Sequence, residues 1–230
     1  MRAVVKTGPG KGLTYRQDWP DPRPPGPGEV LIKVAAASLC GTDREIVEDT
    51  PAARSFNLAT PVVIGHEGSG TVQSVGEGVT RVQAGDRVAL ESHMWCGQCH
   101  ACRTGHAHAC PRTRIVGMHI DGLFAEYTVV AEQVCVKLPD SIDLDTGALM
   151  ESAGVAVHAV QRADYAVAGG AVLVNGCGPV GLVAGEIARV MGATQVVAVD
   201  PNPFRRGQAD SRGFTTVDPA QQDVLDAATN

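Results

Sequence analysis

The chain has 230 residues, 44% of them hydrophobic, enough to bury a sizeable core in more than one domain. A formal net charge of −6, with no long run of Lys or Arg, argues against a nucleic-acid binder. No window approaches ~18 uninterrupted apolar residues, and the N-terminal MRAVVKTGPGKG lacks the apolar stretch and cleavage site of a secretory signal. The expectation is a cytoplasmic protein with no membrane partner, whose seven cysteines are thiols or metal ligands rather than disulfides.

Prolines crowd WPDPRPPGPG (19–28), an extended surface connection because proline fixes φ and removes backbone donors. Four short, Val-rich segments bounded by Gly, Pro or Asp then read as strands: 29–38, 69–76, 86–92 and 124–130. Between the first two lie LCGTDREI (39–46), with Cys40, and GHEGSGTV (65–72), with His66 and Glu67. Taken alone, Cys40 reads as an ordinary buried cysteine and His66-Glu67 as a polar turn. Residues 96–110, CGQCHACRTGHAHAC, place Cys96, Cys99, Cys102 and Cys110 in one glycine-containing loop. That spacing suits a zinc ion wrapped by four thiolates in a closed tetrahedral shell, with no position left for water or substrate. His106 or His108 could replace one cysteine. A redox role is disfavoured because no thioredoxin-like β-α-β pattern surrounds the segment.

Past residue 145 the pattern changes. DTGALMESAGVAVHAVQRA is helical and carries Glu151, an acidic residue in an apolar helix start. It is costly to bury unless paired or bound to a metal, or else it faces water as a partner of the helix dipole. GAVLVNG (170–176) is a continuous apolar run, as in a strand covered on both faces; GPVGLVAGEIARVMGA is helical and TQVVAVD is a second buried strand. This β-α-β unit predicts a parallel sheet. Its turn, VLVNGCGPVG, has Gly176, Gly178 and Gly181 in the G-x-G-x-x-G pattern, and Asp200 follows 19 residues after the last glycine. In that context the pattern is a dinucleotide fingerprint: Gly176 for the tight turn, Gly178 for backbone approach to the pyrophosphate, Gly181 for helix–strand packing. Asp200 favours NAD by bonding the ribose hydroxyls. Arg205 and Arg206 either reach a 2′-phosphate, which admits NADP, or lie on a solvated helix face. A short helix at NPFRRGQADSR and a third strand at GFTTVD complete the readable elements, and Cys135 and Cys177 read as plain small residues.

By spacing alone the patches at Cys40, His66-Glu67 and Glu151 are weak signs of one site. Five motifs in order change this: CGTD (40–43), GHEGSGTV (65–72), GDRV (85–88), the cysteine lobe and GCGPVG (176–181). Through them essentially the whole chain resembles the zinc-containing medium-chain dehydrogenases, the family of alcohol, sorbitol, threonine and glucose dehydrogenases. The resemblance implies a mixed β and α/β fold. A GroES-like β-barrel catalytic domain would span 1–153, with a structural-zinc lobe at 92–112, and a partial Rossmann doubly wound parallel sheet would span 154–230. It implies two zinc ions per chain: a catalytic one at Cys40 and His66, with Glu67 and Glu151 in or beside its shell, and a structural one on the four lobe cysteines. It also implies a proton-relaying hydroxyl at Thr42. The reaction implied is hydride transfer from a secondary alcohol, a polyol, sugar or threonine-like molecule, to NAD or NADP. One departure is Glu45, where many relatives have a histidine that passes the proton onward. The ESH run at 91–93 is similar to threonine dehydrogenases and makes His93 a substrate-pocket candidate or a solvated loop histidine. The family's chains continue further, through the nicotinamide half and a return segment. This chain is therefore expected to be C-terminally truncated, with little or no turnover by itself, or else to be a zinc-stabilised remnant without catalysis. At full length the resemblance implies a homodimer or homotetramer.

Overall fold

The computed structural model describes residues 1–163, 167–224 and 226, and the chain divides into two compact units, Met1–Glu151 and Ser152–Asn230. In chain order the first unit contains β1 (Ala3–Lys6), β2 (Thr14–Arg16), β3 (Glu29–Ser38), α1 (Gly41–Glu48), α2 (Pro51–Ser55), β4 (Val62–Val63), β5 (Glu67–Val75), β6 (Arg87–Leu90) and β7 (His93–Met94). It continues with α3 (His100–Arg103), β8 (Arg114–Ile115), β9 (Tyr127–Ala131), β10 (Cys135–Lys137) and α4 (Leu144–Gly147). Helix α5 (Met150–Arg162) runs into the second unit, which holds β11 (Ala171–Asn175), α6 (Pro179–Val190), β12 (Gln195–Val199), α7 (Pro203–Asp210) and β13 (Thr215–Val217).

In the first unit the β-branched runs pair antiparallel, in the order β10-β6-β5-β3-β9, beside a smaller sheet β2-β1-β4. These are two sheets, and no ladder closes them into one barrel among the described residues. Alternation puts Val30 and Ile32 of β3 inward, where they meet Val72, Val88, Leu90 and Val130 in the main core. A second cluster joins Ile46 of α1, Ala53 of α2, Ile64 and Met118. It fixes the short helices α1 and α2 against the segment that leads into β5. Those two helices escape a reading based on strand-like patterning, because at eight and five residues neither displays a full apolar face.

The second unit is a parallel sheet, β11-β12-β13, with α6 and α7 as its crossovers. Strand β12 is buried along four of its five residues. Strand β11 is not the doubly covered strand its apolar run predicts. It pairs only with β12 among the described residues, and Leu173 stays 47% exposed. An apolar run fixes strand character but not which strand stands at an edge. No helix among the described residues is long and apolar enough to cross a membrane.

Candidate functional site

The pairing of β3 with β5 builds the first site. Ser38, the last residue of β3, stands opposite Glu67, the first of β5. Two residues past Ser38 lies Cys40, and one residue before Glu67 lies His66, so two segments far apart in sequence are brought together. The ligand atoms of Cys40, His66 and Glu67 all lie within 4.8 Å of one another. Ser38 Oγ donates to Glu67 Oε2 and fixes that carboxylate. His66 is aimed by a tight backbone knot. Gly65 has φ +94°, and its carbonyl accepts from Leu123 N at 2.9 Å. A Cβ on Gly117 or Gly122 would come within 2.4 or 2.2 Å of the Gly65 carbonyl oxygen, so both must be glycine for the chain to pass.

Cys40 is the N-cap of α1. Asp43, in the first turn of the same helix, is only 1% exposed. Its Oδ2 accepts from Cys40 N at 2.9 Å, while Oδ1 stands 3.5 Å from His66 Nδ1. That gap is too long for a hydrogen bond, and both atoms are buried without a hydrogen-bond partner, so their attraction is coulombic. Burial by itself would lower the His66 pKa, but Asp43 and then Cys40 outweigh it and raise it from 6.5 to about 9 in the metal-free chain. With Nδ1 toward Asp43, Nε2 is left for a cation, and a neutral imidazole with its proton on Nδ1 would satisfy both orphaned atoms. The donor set of one thiolate, one imidazole and one carboxylate is a borderline-soft set that suits zinc. Sequence reading passed over Asp43. The available signal was a carboxylate three residues after a cysteine helix cap, in a helix that also buries its apolar face. Asp43→Asn should therefore lower metal affinity at this site about 10–100-fold without affecting the cysteine lobe, as a two-metal titration would measure.

Thr42 Oγ1 lies 3.7 Å from Cys40 Sγ, at the rim of the same cluster. Glu151 groups with Glu91 and His93 within 4.8 Å, while its carboxyl also feels the charges of His66 and Glu67. Ser92, fully buried, links them by donating to Glu151 Oε1 at 3.0 Å. His93 Nδ1 lies 2.8 Å from Glu91 Oε1 and 3.0 Å from Ser92 Oγ, so Nδ1 carries the proton and shares it between them. Glu91 raises the His93 pKa against its burial. Burial pushes the Glu151 carboxyl up, with the Ser92 hydroxyl pulling it partly back. The result is a hydrogen-bonded series from half-buried Glu151 to exposed His93, and its middle member, Ser92, drew no notice in the sequence.

The four lobe cysteines converge. Sulfur–sulfur separations are 3.5 Å for Cys99–Cys102, 3.9 Å for Cys96–Cys102, 3.8 Å for Cys99–Cys110 and 3.5 Å for Cys96–Cys110. A tetrahedron of ~2.3 Å zinc–sulfur bonds has edges of ~3.8 Å, so the spacing fits zinc. His106 and His108 instead stack edge-to-face on each other at 5.8 Å. In the metal-free chain the backbone N–H groups of Gln98 and Cys99 pull Cys96 down to about 6, and burial, then Cys99, pushes Cys102 up to about 12.

In the second unit, the turn between β11 and α6 forms as its glycines require. Gly176 has φ +106°, and Gly178 caps α6, where an added Cβ would meet nothing within 4 Å. A Cβ on Gly181 would lie 1.9 Å from the Gly176 carbonyl oxygen, so the helix approaches the turn as closely as glycine allows. Asp200, only 2% exposed, accepts from Cys177 N at 2.9 Å and Asn202 N at 2.8 Å, which holds its carboxyl below the usual range. Arg205 Nη1 lies 3.7 Å from Asp200 Oδ2, with its side chain mostly exposed, whereas Arg206 is tied to Asp218 at 2.8 Å. Buried Cys135, its thiol pushed up to about 12 by burial, is a core residue.

Residues 26–140 match the alcohol dehydrogenase GroES-like domain. The chain is 42% identical over 226 residues to L-threonine 3-dehydrogenase of Pyrococcus horikoshii, covering 98% of this chain and 64% of that protein. Among solved structures it is similar to galactitol-1-phosphate dehydrogenase from Escherichia coli, with TM-score 0.88 and 29% identity over 98% of this chain and 63% of that one. It is also similar to a protein of Sinorhizobium meliloti 1021 described as a zinc-binding dehydrogenase bound to NADP, with TM-score 0.85 and 32% identity over 98% and 64% of the two chains. The chain thus spans just under two thirds of the length of these relatives. With a matched domain over half its length and its resemblances running in one direction, the chain belongs to the zinc-containing medium-chain alcohol dehydrogenase family.

Proposed function

We propose that this chain carries the zinc centre and the adenosine half-site of an NAD(P)-linked dehydrogenase acting on a small secondary alcohol, with L-threonine as the first candidate. The observation that carries this reading is the convergence of Cys40, His66 and Glu67 on one point beside the Thr42 hydroxyl. Cys40, His66 and Glu67 would hold a zinc ion, with Glu151 beside it, and the lobe cysteines a second, structural one. A zinc ion there supplies Lewis acidity to an alcohol oxygen, and NAD supplies the hydride acceptor.

The chain's own residues do the rest. Asp43 holds the His66 ring in one orientation and tautomer, and Ser38 does the same for the Glu67 carboxylate. Thr42 would accept a hydrogen bond from the substrate hydroxyl and, as it takes that proton, pass its own onward, with Glu45, three residues further along α1, the first candidate to receive it. The series Glu151–Ser92–His93 is a second proton route, ending on an exposed imidazole. In the second unit, we read the β11-α6-β12-α7-β13 arrangement as the first half of a Rossmann sheet. There Gly176, Gly178 and Gly181 make room for pyrophosphate and Asp200 binds the adenosine ribose. Arg205, held only loosely to Asp200, is the residue that would accommodate a 2′-phosphate. Similarity to threonine dehydrogenases at 42% identity supports L-threonine as the first substrate to test.

The test is metal analysis of the purified chain, followed by NAD- and NADP-linked oxidation of L-threonine, sorbitol, glucose and galactitol 1-phosphate by the chain extended through a nicotinamide-binding half. Two zinc ions per chain are expected, with little or no NAD reduction by the 230 residues alone and preferential reduction of NAD with L-threonine once the nicotinamide half is supplied. A single zinc, held by the lobe alone, would sink the reading.

A further inference from the structure

Lys6, the last residue of β1, is a cation only 2% exposed. Its ammonium has three donors, and all three meet carbonyl oxygens: Gly10, Ile46 at 2.9 Å and Gly12 at 3.4 Å. No carboxylate pairs with it among the described residues. Gly10 and Gly12, at φ +103° and +97°, let the segment after β1 curl back over the ammonium. The Ile46 carbonyl belongs to the last turn of α1, and the next one, Val47, accepts from Gly12 N at 2.8 Å. The N-terminal segment thus satisfies the Val47 carbonyl and adds a charged donor to that of Ile46, which also accepts from Asp49 N at 3.3 Å. That last turn contains no basic residue of its own, so Lys6 supplies the cation that the helix polarity favours there.

The other end of α1 carries the metal-site groups: Cys40 as its cap, then Thr42 and Asp43. The helix is eight residues long, a stiff rod of ~12 Å. The β3–β5 register anchors it at Cys40, and the direction it takes from there decides where Thr42 and Asp43 fall relative to His66. Ile46 docks α1 onto Ile64, and with the last turn released from Lys6 the helix would tilt about that contact and shift the Asp43 carboxylate relative to the imidazole.

We propose that Lys6 is a positioning residue for the Cys40–His66–Glu67 centre, acting through α1 and Asp43. This rests on the reading of that centre as a metal site. Cobalt is the probe, because a four-sulfur site and a site with a single sulfur give separate absorption spectra that can be titrated independently on the whole chain. Lys6→Met should weaken cobalt binding at the Cys40 site about tenfold and leave the lobe site unchanged. Lys6→Arg, which keeps the cation and its donors, should restore most of that loss, and Lys6→Gln should fall between them. In a double-mutant cycle, Lys6→Met added to Asp43→Asn should cost nothing further, because the route runs through Asp43.

A merely structural role would move both cobalt sites together, or give effects of Lys6→Met and Asp43→Asn that multiply independently; either result overturns the proposal. Unchanged cobalt binding in Lys6→Met or Lys6→Gln overturns it as well. A parent chain that takes only one cobalt defeats the metal-site reading itself, and the two failures are told apart on that first titration.

Discussion

Replacing His66 by alanine should abolish metal uptake at the Cys40 site and leave the four-cysteine site loaded, with affinity at the former falling by well over 10²-fold. Loss of a group that merely orients a ligand costs about 10–100-fold, and loss of the ligand itself costs more. The parent protein should show a matching pH signature. In the metal-free chain His66 has its pKa raised to about 9 from 6.5. The stabilisation from its charged form is fully present below the unfolded value and is lost as pH rises through about 9. Zinc requires the neutral imidazole, so at pH 7 it must displace a proton that Asp43 and Cys40 favour. Affinity at this site should rise about tenfold per unit from pH 7 to 9, roughly 10²-fold in total, and the His66 contribution should level off above that. Any proton released by Cys40 adds to the slope. The His66→Ala chain, loaded only at the lobe, gives the pH dependence of the lobe site alone, against which the break near pH 9 in the parent is read. Affinity that stays flat from pH 7 to 9 would mean that His66 does not face a metal.

That centre was only partly legible in the sequence. Cys40 and His66-Glu67 stand out as residue types, but what unites them is the Ser38–Glu67 pairing, and strand register is set by packing that no short motif encodes. Asp43 and Lys6 were invisible for a related reason. Each is a charged residue in a polar-looking segment, and its burial depends on α1 docking through Ile46 onto Ile64. Glu151 was read as a companion of the metal ligands; its charge interactions with His66 and Glu67 accord with that, and its hydrogen bond to Ser92, beside His93, was not legible. The glycine turn and the cysteine lobe were legible because their function is local. Backbone conformation at Gly176 and close approach at Gly181 depend on residues a few positions away, and so do four sulfurs within one short loop.

The lobe should also respond strongly to a single change. Between His93 and Ile115 Cys110 alone is buried, so little apolar packing holds this segment. Its regular structure is one helical turn at α3, a 3₁₀ turn at Ala107–Ala109 and a two-residue ladder, β7–β8, at its neck. What remains is the sulfur cluster, and four thiols with separations this short need a cation between them. In the metal-free chain they already compete for charge, with Cys96 drawn down to about 6 and Cys102 driven up to about 12. Cys102→Ala should therefore release one zinc per chain and open the lobe locally, without unfolding the β3–β5 sheet, whose core lies elsewhere. Arg103 and Arg112 are exposed lobe residues at which trypsin reports the opening. Cleavage at Arg103 should accelerate about 10²-fold or more under conditions where cutting tracks the open population. The Cys40 site should keep its metal in this variant. His106→Ala and His108→Ala should leave both zinc content and cleavage rate unchanged, since the sulfurs alone complete the tetrahedron. Rapid cleavage with zinc still bound would show that the metal does not hold the lobe closed; zinc loss without faster cleavage would show that the β7–β8 neck and the helical turns suffice alone.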